Sequence, residues 1–442
     1  MQTWDTIIVG AGISGVTAGK LLAGRGQRVL ILEARDRVGG RTFTDPDTAI
    51  GKPIDVGASW IHGVDDNPLV PLIEAFGVDT VEFTVGSFQP GGRPIATYGP
   101  DGQRLSDADA ARWVADIDAV NRAIEEAVSP LPPGTPYDTV LEQVLGGTGW
   151  DDARQERVRE FFRHRVEEQC GGWIGDLDAH GLDEDVIHGD EVVFPGGYDV
   201  FARTLAEGLD IRLGQVVQAV DWAPGSVSVR TADTEYRAGQ VIVTVPLGVL
   251  KAGAIRFTPE LPDAVAGPIR RLGMGRFEKL FLQFDRPFWD EGVYVVRQQG
   301  ERGLRWHSWY DVSRNAGVPM LLTFAAGRWA VLADEEGPDA TIASALDALR
   351  AIYGDAVPDP VGVHLTDWGS DPFALGSYSY IARGSAYEDH DALAGPVGGV
   401  LHFAGEATWG DEPATVHTAL LSGHRAAERV LGASIDLAEL VG

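Results

Sequence analysis

The chain has 442 residues, 44 % hydrophobic and 23 % charged, which is too long for one ordinary core and balanced like a soluble protein of two or three domains. Its net charge of −29, from 36 basic against 65 acidic residues, argues against nucleic-acid and anionic-membrane partners and for a field that draws in small cations, although acidic surfaces also serve solubility alone. A single cysteine, Cys170, excludes an intramolecular disulfide and a cysteine-built metal cluster, so no metal is expected.

The opening MQTWDTIIVG has neither a basic leader nor a long apolar stretch, which predicts a cytoplasmic protein. Residues 6–9, TIIV, read as a short apolar strand and 28–33, RVLILE, as the next, with a helix from Val16 to Gly26 between them. Between strand and helix, Gly10-Ala11-Gly12-Ile13-Ser14-Gly15 matches G-x-G-x-x-G. Its glycines let the backbone approach a pyrophosphate at the positive end of a helix. Glu33 ends the second strand 18 residues after Gly15. It is placed to accept hydrogen bonds from a ribose diol, which argues against a 2′-phosphate. The run continues Ala34-Arg35-Asp36-Arg37-Val38-Gly39-Gly40-Arg41, placing Arg37 and Arg41 to neutralise the diphosphate of an extended dinucleotide.

A different texture follows. Trp113, Ile117, Val120, Ile124 and Val128 recur at helical spacing after Ser106, which caps with Asp109. LPPGTP (131–136) breaks the chain, and FFRHRVEEQCGGW predicts a helix ending at Gly171–Gly172. Glu167 and Glu168 near that end read more simply as a solvated face than as a buried site for a distal ammonium. Beyond Val192 the chain turns β-rich, through DIRLGQVVQAVDW, SVSVRTA and QVIVTVP. MGRFEKLFLQF (274–284) is a strand in which Lys279 shares a face with Phe277 and Phe281; on those residues alone it is a snorkelling lysine. A helix is expected over 340–354, then a strand in GGVLHFAGEA and a closing helix in TVHTALLSGHRAAERVLG. Nucleotide-fold texture thus opens and closes the chain, with other material between.

The E-x-x-x-R-x-G-G-R run resembles the flavin-containing amine oxidase family, which includes monoamine oxidases, polyamine oxidases and the lysine-specific histone demethylase. Five further places carry the resemblance. GASWIHG (57–63) with NPL (67–69) is similar to the polyamine-oxidase segment beside the flavin ring, and VTVPLGVLKAG (243–253) to the strand and turn closing the flavin domain. Lys279 stands where the family has its lysine. Trp368 and Tyr378 keep the demethylase and polyamine-oxidase spacing. FAGEAT (403–408) with PATVHTALLSG (413–423) matches the same two groups.

The resemblance implies an α/β fold, a discontinuous Rossmann-like FAD-binding domain with an inserted α+β substrate domain on a mixed sheet. It divides the chain into FAD-binding parts at 1–82, 192–262 and 385–442, a helical substrate part at 83–191 and a sheet part at 263–384. It assigns FAD contacts to Gly10, Gly12, Ile13, Ser14 and Gly15, to Glu33, Ala34, Arg35, Gly40 and Arg41, to Gly57, Ala58, Ser59 and Trp60, to Val217 and Trp368, and to Gly405 and Glu406. Glu406 would meet ribityl hydroxyls, and a helix beginning near Thr415 would aim the N–H groups of Thr415 and Val416 at the flavin N1/C2=O edge. Ser377 replaces the cysteine that carries covalent flavin in monoamine oxidases, which implies non-covalent FAD. Lys279 would hold a water near flavin N5, with a lowered pKa.

Tyr378 and Thr415 would face the substrate, with Glu168 at its distal end. The small Thr415 departs from the second tyrosine of monoamine oxidases and points away from small aryl amines. His62 would bond or deprotonate the substrate amine, or else be a structural histidine. The activity implied is oxidation of a small-molecule polyamine by O2, giving aldehyde, amine and hydrogen peroxide, in a monomer or homodimer. Two alternatives stay open: an amino-acid or secondary-metabolism oxidase using Arg163 or Arg165 for a carboxylate, and a flavin-fold binding protein without catalysis.

Overall fold

The computed structural model describes residues 3–46, 48–85, 94–182 and 187–441. The opening strand, Thr3–Val9, pairs in parallel with Val29–Leu32 on one side and Glu235–Val243 on the other. A strand buried on both faces reads as a continuous apolar run, as TIIV does. Ile8 points with Ile31 and Ile242 toward the helices Ile13–Gly24 and Val416–Leu431, while Ile7 and Val9 point with Val241 and Leu401 into the opposite core. Leu401–Phe403 also pairs in parallel with Glu235–Val243. Three separate stretches of sequence therefore build one sheet, the discontinuous dinucleotide fold expected.

The first helix begins at Ile13, not Val16, because the last residues of the glycine turn already form its first turn. The helix Asp107–Val128 is capped by the Ser106 hydroxyl, which accepts from the Asp109 N–H at 3.2 Å. Together with Tyr137–Gly147 and Asp152–Cys170 it forms the helical insert, around a core that includes Trp113, Val140 and Phe162. Asp152–Cys170 ends on Gly171 with φ 57°, the left-handed cap that glycine adopts readily.

A second sheet carries the lysine. Its order is Gly362–Leu365, Phe277–Gln283, Met320–Ala326, Ser308–Asp311, Val295–Gln298 and Ile95–Tyr98. All pairs are antiparallel except Val295–Gln298 with Ile95–Tyr98, so the sheet is mixed. Ile95–Tyr98 comes from a region that reads as helical. A small sheet, Trp60–Ile61, Val192–Val193 and Val81–Glu82, lies where the two larger parts meet.

Candidate active site

One cavity of about 760 Å³ runs from the glycine turn to the second sheet and the helical insert. Every residue assigned above to cofactor or substrate lines it except Gly15 and Arg37. Gly15 acts behind the wall instead. A Cβ there would stand 2.1 Å from the Gly10 carbonyl oxygen, and Gly10 itself sits at φ +108°. A Cβ on Gly12 would meet nothing within 4 Å, so this backbone lies open to the cavity at the start of a helix. Both Glu33 oxygens are oriented, one by the Ala11 N–H at 2.7 Å and one by the Arg35 N–H at 2.9 Å. Each keeps a lone pair for a diol.

The arginines divide the work differently from expectation. Arg37 does not line the cavity; it lies 3.6 Å over the Phe43 ring and donates to the Val38 and Gly40 carbonyls. Arg35 makes a two-pronged pair with Asp371, at 2.6 and 2.7 Å. Arg41 bonds Glu406 Oε1 and the Ser377 carbonyl, both at 2.8 Å. Burial by itself would raise the Glu406 carboxyl, but Arg41 and the Ser379 hydroxyl outweigh it and leave the group below its usual range. Glu406 thus fixes Arg41 and Ser379 while facing the cavity. Thr415 caps the helix Val416–Leu431, and both Thr415 and Val416 line the cavity. The unsatisfied N–H groups and positive end of that helix suit an electron-rich ring edge.

Lys279 is 6 % exposed; it does not snorkel. Its ammonium donates to the carbonyls of Asp55 at 3.0 Å and Gly57 at 2.5 Å, and to Ser59 Oγ. Burial lowers its pKa to about 8, opposed by Asp55, whose own carboxyl burial raises to about 6. The three donors of the ammonium are thus held by protein acceptors, and a water-holding role requires one of them to be released. Trp368 is pinned by its Nε1–H to the Val56 carbonyl at 2.9 Å. Around the lysine, aromatic rings follow one another along the wall. Tyr378 lies 5.7 Å from Phe277, which lies 4.6 Å from Phe324, and Tyr310 bridges Phe324 at 5.0 Å and Trp60 at 6.2 Å.

Glu168 corrects the simpler reading of its helix end. It lines the cavity and accepts from the Tyr310 hydroxyl at 3.3 Å, while its own carbonyl accepts from Tyr378 at 2.6 Å. Glu167 is buried, and burial raises its pKa to about 8. Neither belongs to a solvated face. His62, 60 % exposed at the side chain, lines the cavity with its Nδ1 2.6 Å from Glu191 Oε1. Glu191 is held in turn by the Val85 N–H at 3.0 Å. Sequence reading missed Glu191, although the pairing of Ile61 with Val192 brings it beside His62. It also missed Tyr310, Arg297 and Gln169, whose only signal is their register on elements far apart in sequence.

These residues fit a flavin dinucleotide. The glycine backbone, the oriented Glu33, the Glu406–Arg41 pair and the capped helix face one continuous space, which a buried lysine among aromatic rings also lines. The model for flavin-containing amine oxidoreductases matches residues 13–431. Lysine-specific histone demethylase 1 homolog 1 of Oryza sativa subsp. japonica is 33 % identical over 97 % of the chain, which spans 52 % of that relative. Polyamine oxidase 4 of the same plant is 33 % identical over 96 % of the chain and 88 % of its own length. The chain therefore spans about half the length of the demethylase relatives but most of the polyamine oxidase. Among solved structures, cyclohexylamine oxidase from Brevibacterium oxydans superposes with a TM-score of 0.79 at 23 % identity, over 98 % of this chain and 99 % of that one. Putrescine oxidase bound to putrescine superposes at 0.77 and 22 %, over 98 % and 99 %; at such identities these two speak for the fold alone. The chain belongs to the flavin-containing amine oxidoreductase family.

Proposed function

We propose that this enzyme is a polyamine oxidase that holds FAD non-covalently and works in the cytoplasm. The observation that carries the catalytic reading is the buried Lys279 ammonium among aromatic rings, on the wall of the same cavity that the glycine turn and Glu33 line. FAD, held by the glycine turn, Glu33 and Arg41, would supply the two-electron chemistry: an acceptor for hydride from the carbon next to the amine nitrogen, and a donor of two electrons that with two protons reduce oxygen to hydrogen peroxide, while water hydrolyses the imine to aldehyde and a shorter amine.

The residues of the chain supply binding, orientation and proton control. Hydride departure needs a neutral amine. With His62 Nδ1–H directed at Glu191, the other ring nitrogen is the acceptor for the proton of an arriving ammonium. The wall from Tyr378 to Trp60 orients the amine and keeps water out, and its ring faces attract the cation before deprotonation. Lys279 holds the 55–59 segment; releasing one N–H frees it to position the water that attacks the imine. Glu168 and Glu191, both on the cavity wall, favour substrates with several nitrogens, as do the polyamine-oxidase relatives. Ser377 Oγ accepts from the Phe277 N–H and donates to the Phe277 carbonyl, at 2.9 and 3.0 Å, so its hydroxyl serves the backbone and not a covalent link.

The test is a panel of spermine, spermidine, monoamines, amino acids and a methyl-lysine peptide, scored by peroxide release and anaerobic bleaching of the flavin. Turnover of a polyamine is expected, as is release of yellow cofactor into the supernatant on denaturation. Arg165 lines the cavity and Arg163 does not, so amino-acid turnover without polyamine turnover would favour an amino-acid oxidase built on Arg165. Bleaching by no amine would leave a binding protein.

A further inference from the structure

Past Glu168 the main cavity adjoins a side chamber of about 110 Å³. Arg165, Glu168, Gln169 and Arg297 form the wall that the two spaces share. Deeper in, Gln298 and Gln299 are 4 % and 5 % exposed and face the chamber. Gln298 Oε1 and both amide atoms of Gln299 have no hydrogen-bond partner among the described residues, nor do both amide atoms of Gln169 and Nε of Arg297. No described carboxylate pairs with the Arg297 guanidinium. Buried polar groups are as a rule hydrogen-bonded, so this concentration of unpaired donors and acceptors at one small space marks a place for a polar group.

Charge narrows the choice. The chamber is faced by the guanidiniums of Arg157, Arg165 and Arg297 and by two carboxylates, both already engaged. Glu160 accepts the Gly300 N–H at 2.9 Å, and Glu168 lies 3.3 Å from both the Tyr310 hydroxyl and His307 Nε2. His164 and His307 stack at 3.7 Å and stay neutral, each pushed well below the ordinary range by burial first, then His164 by His307 and Arg163, and His307 by Arg297 and Arg163. Arg165 is engaged, donating to Asn121 Oδ1 at 2.8 Å, whereas Arg297 is a cation at the shared wall with no described carboxylate paired with it, in a chain of net charge −29. Val295–Gln298, which carries Arg297, lies three strand steps from the strand of Lys279, about 14 Å at roughly 4.8 Å per step. A group bound there is remote from the oxidised carbon, at the far end of a long substrate.

We propose that this chamber binds a carboxylate at the distal end of the substrate, so that the preferred substrate is a polyamine with one acidic terminus and not a free polyamine. Arg297 would pair with the carboxylate, and the Gln169 and Gln299 amides would complete its hydrogen bonds. The proposal rests on the amine-oxidase reading above. It is tested on the holoenzyme with spermidine, monoacetylspermidine and monosuccinylspermidine, which share the reacting amine and differ at the far end. Wild type should favour the succinyl compound by roughly tenfold in kcat/KM, the scale of one charge-assisted pair, and Arg297→Gln should bring the ratio to parity.

Preference for spermidine, or equal rates for acetyl and succinyl compounds, overturns the proposal and leaves the chamber to water. If no amine bleaches the flavin, the oxidase reading has failed, and titration of glutarate into the holoenzyme by calorimetry decides the chamber on its own. Binding weakened roughly tenfold in Arg297→Gln supports it, and absent or unchanged binding overturns it. Should Arg297→Gln not fold, Gln299→Leu carries the same comparisons with the same expected directions.

Discussion

Lys279 offers three N–H donors, and the 55–59 segment together with Ser59 supplies three acceptors; this match keeps an ammonium inside a nearly dry site. Its pKa falls to about 8 against 10.5 for a free lysine. Between those two pH values the unfolded chain binds more protons than the native one, so the contribution of this group to stability rises with pH across that window. Lys279→Met removes the titration. The melting temperature of wild type should therefore gain on that of the variant as pH rises from about 8 to about 10, and a constant difference would contradict the lowered value. In catalysis, Lys279→Met should slow anaerobic flavin reduction or reoxidation by about a hundredfold, the scale of one positioned acid–base group; stopped-flow absorbance would follow both. Glu191→Gln tests orientation, since the amide oxygen still accepts from the Val85 N–H while its N–H turns toward His62 Nδ1, so that Nε2 carries the ring proton and cannot accept another. Amine turnover should fall by about a hundredfold in kcat/KM with little change in melting temperature, whereas an unchanged kcat/KM would make Glu191 a structural residue.

Elements with their own periodic signal were legible in the sequence. The glycine turn announced itself because Gly10 and Gly15 occupy places where a side chain meets backbone or a strained φ. The helix Asp107–Val128 was visible from its apolar stripe and its Ser106 cap. What escaped is what only distant pairing creates. Ile95–Tyr98 has four residues and becomes a strand by lying beside Val295–Gln298, some two hundred positions away. Glu191 meets His62 through the pairing of Trp60–Ile61 with Val192–Val193, each two residues long and without a pattern of its own. Glu168 looked solvated because the charge-rich helix Asp152–Cys170 lays polar side chains against a cavity, where polar residues are needed inside. Gly57 belongs to the same scale, since a Cβ there would stand 1.9 Å from the Arg41 carbonyl oxygen. Gly57→Ala should push apart the 41 and 57 segments, both of which line the cavity. The expected outcome is a loss of about 3 kcal/mol or more in stability, measured by urea unfolding, with protein that purifies depleted of yellow cofactor.

At the scale of the whole molecule, the chain carries 65 acidic against 36 basic residues, and the proposed reaction must collect its substrate as a cation and oxidise it as a neutral amine. The long-range field assists the first step only. Exposed charges act over about 10 Å at 0.1 M salt and about 3 Å at 1 M, so the field speeds encounter and leaves the buried chemistry untouched. Raising salt from about 0.02 to about 0.5 M should therefore lower kcat/KM for spermidine by roughly tenfold, with kcat at saturation nearly constant. The slope should follow substrate charge, steepest for spermine, shallower for spermidine and shallowest for a monoamine. A succinylated spermidine, carrying less net positive charge, should show a weaker salt effect than spermidine even while it is turned over more efficiently. Steering by the acidic surface and recognition at the distal chamber thereby come apart in one experiment, because salt screens the first and Arg297→Gln removes the second. Equal salt slopes for all four amines would show that the surface charge serves solubility alone.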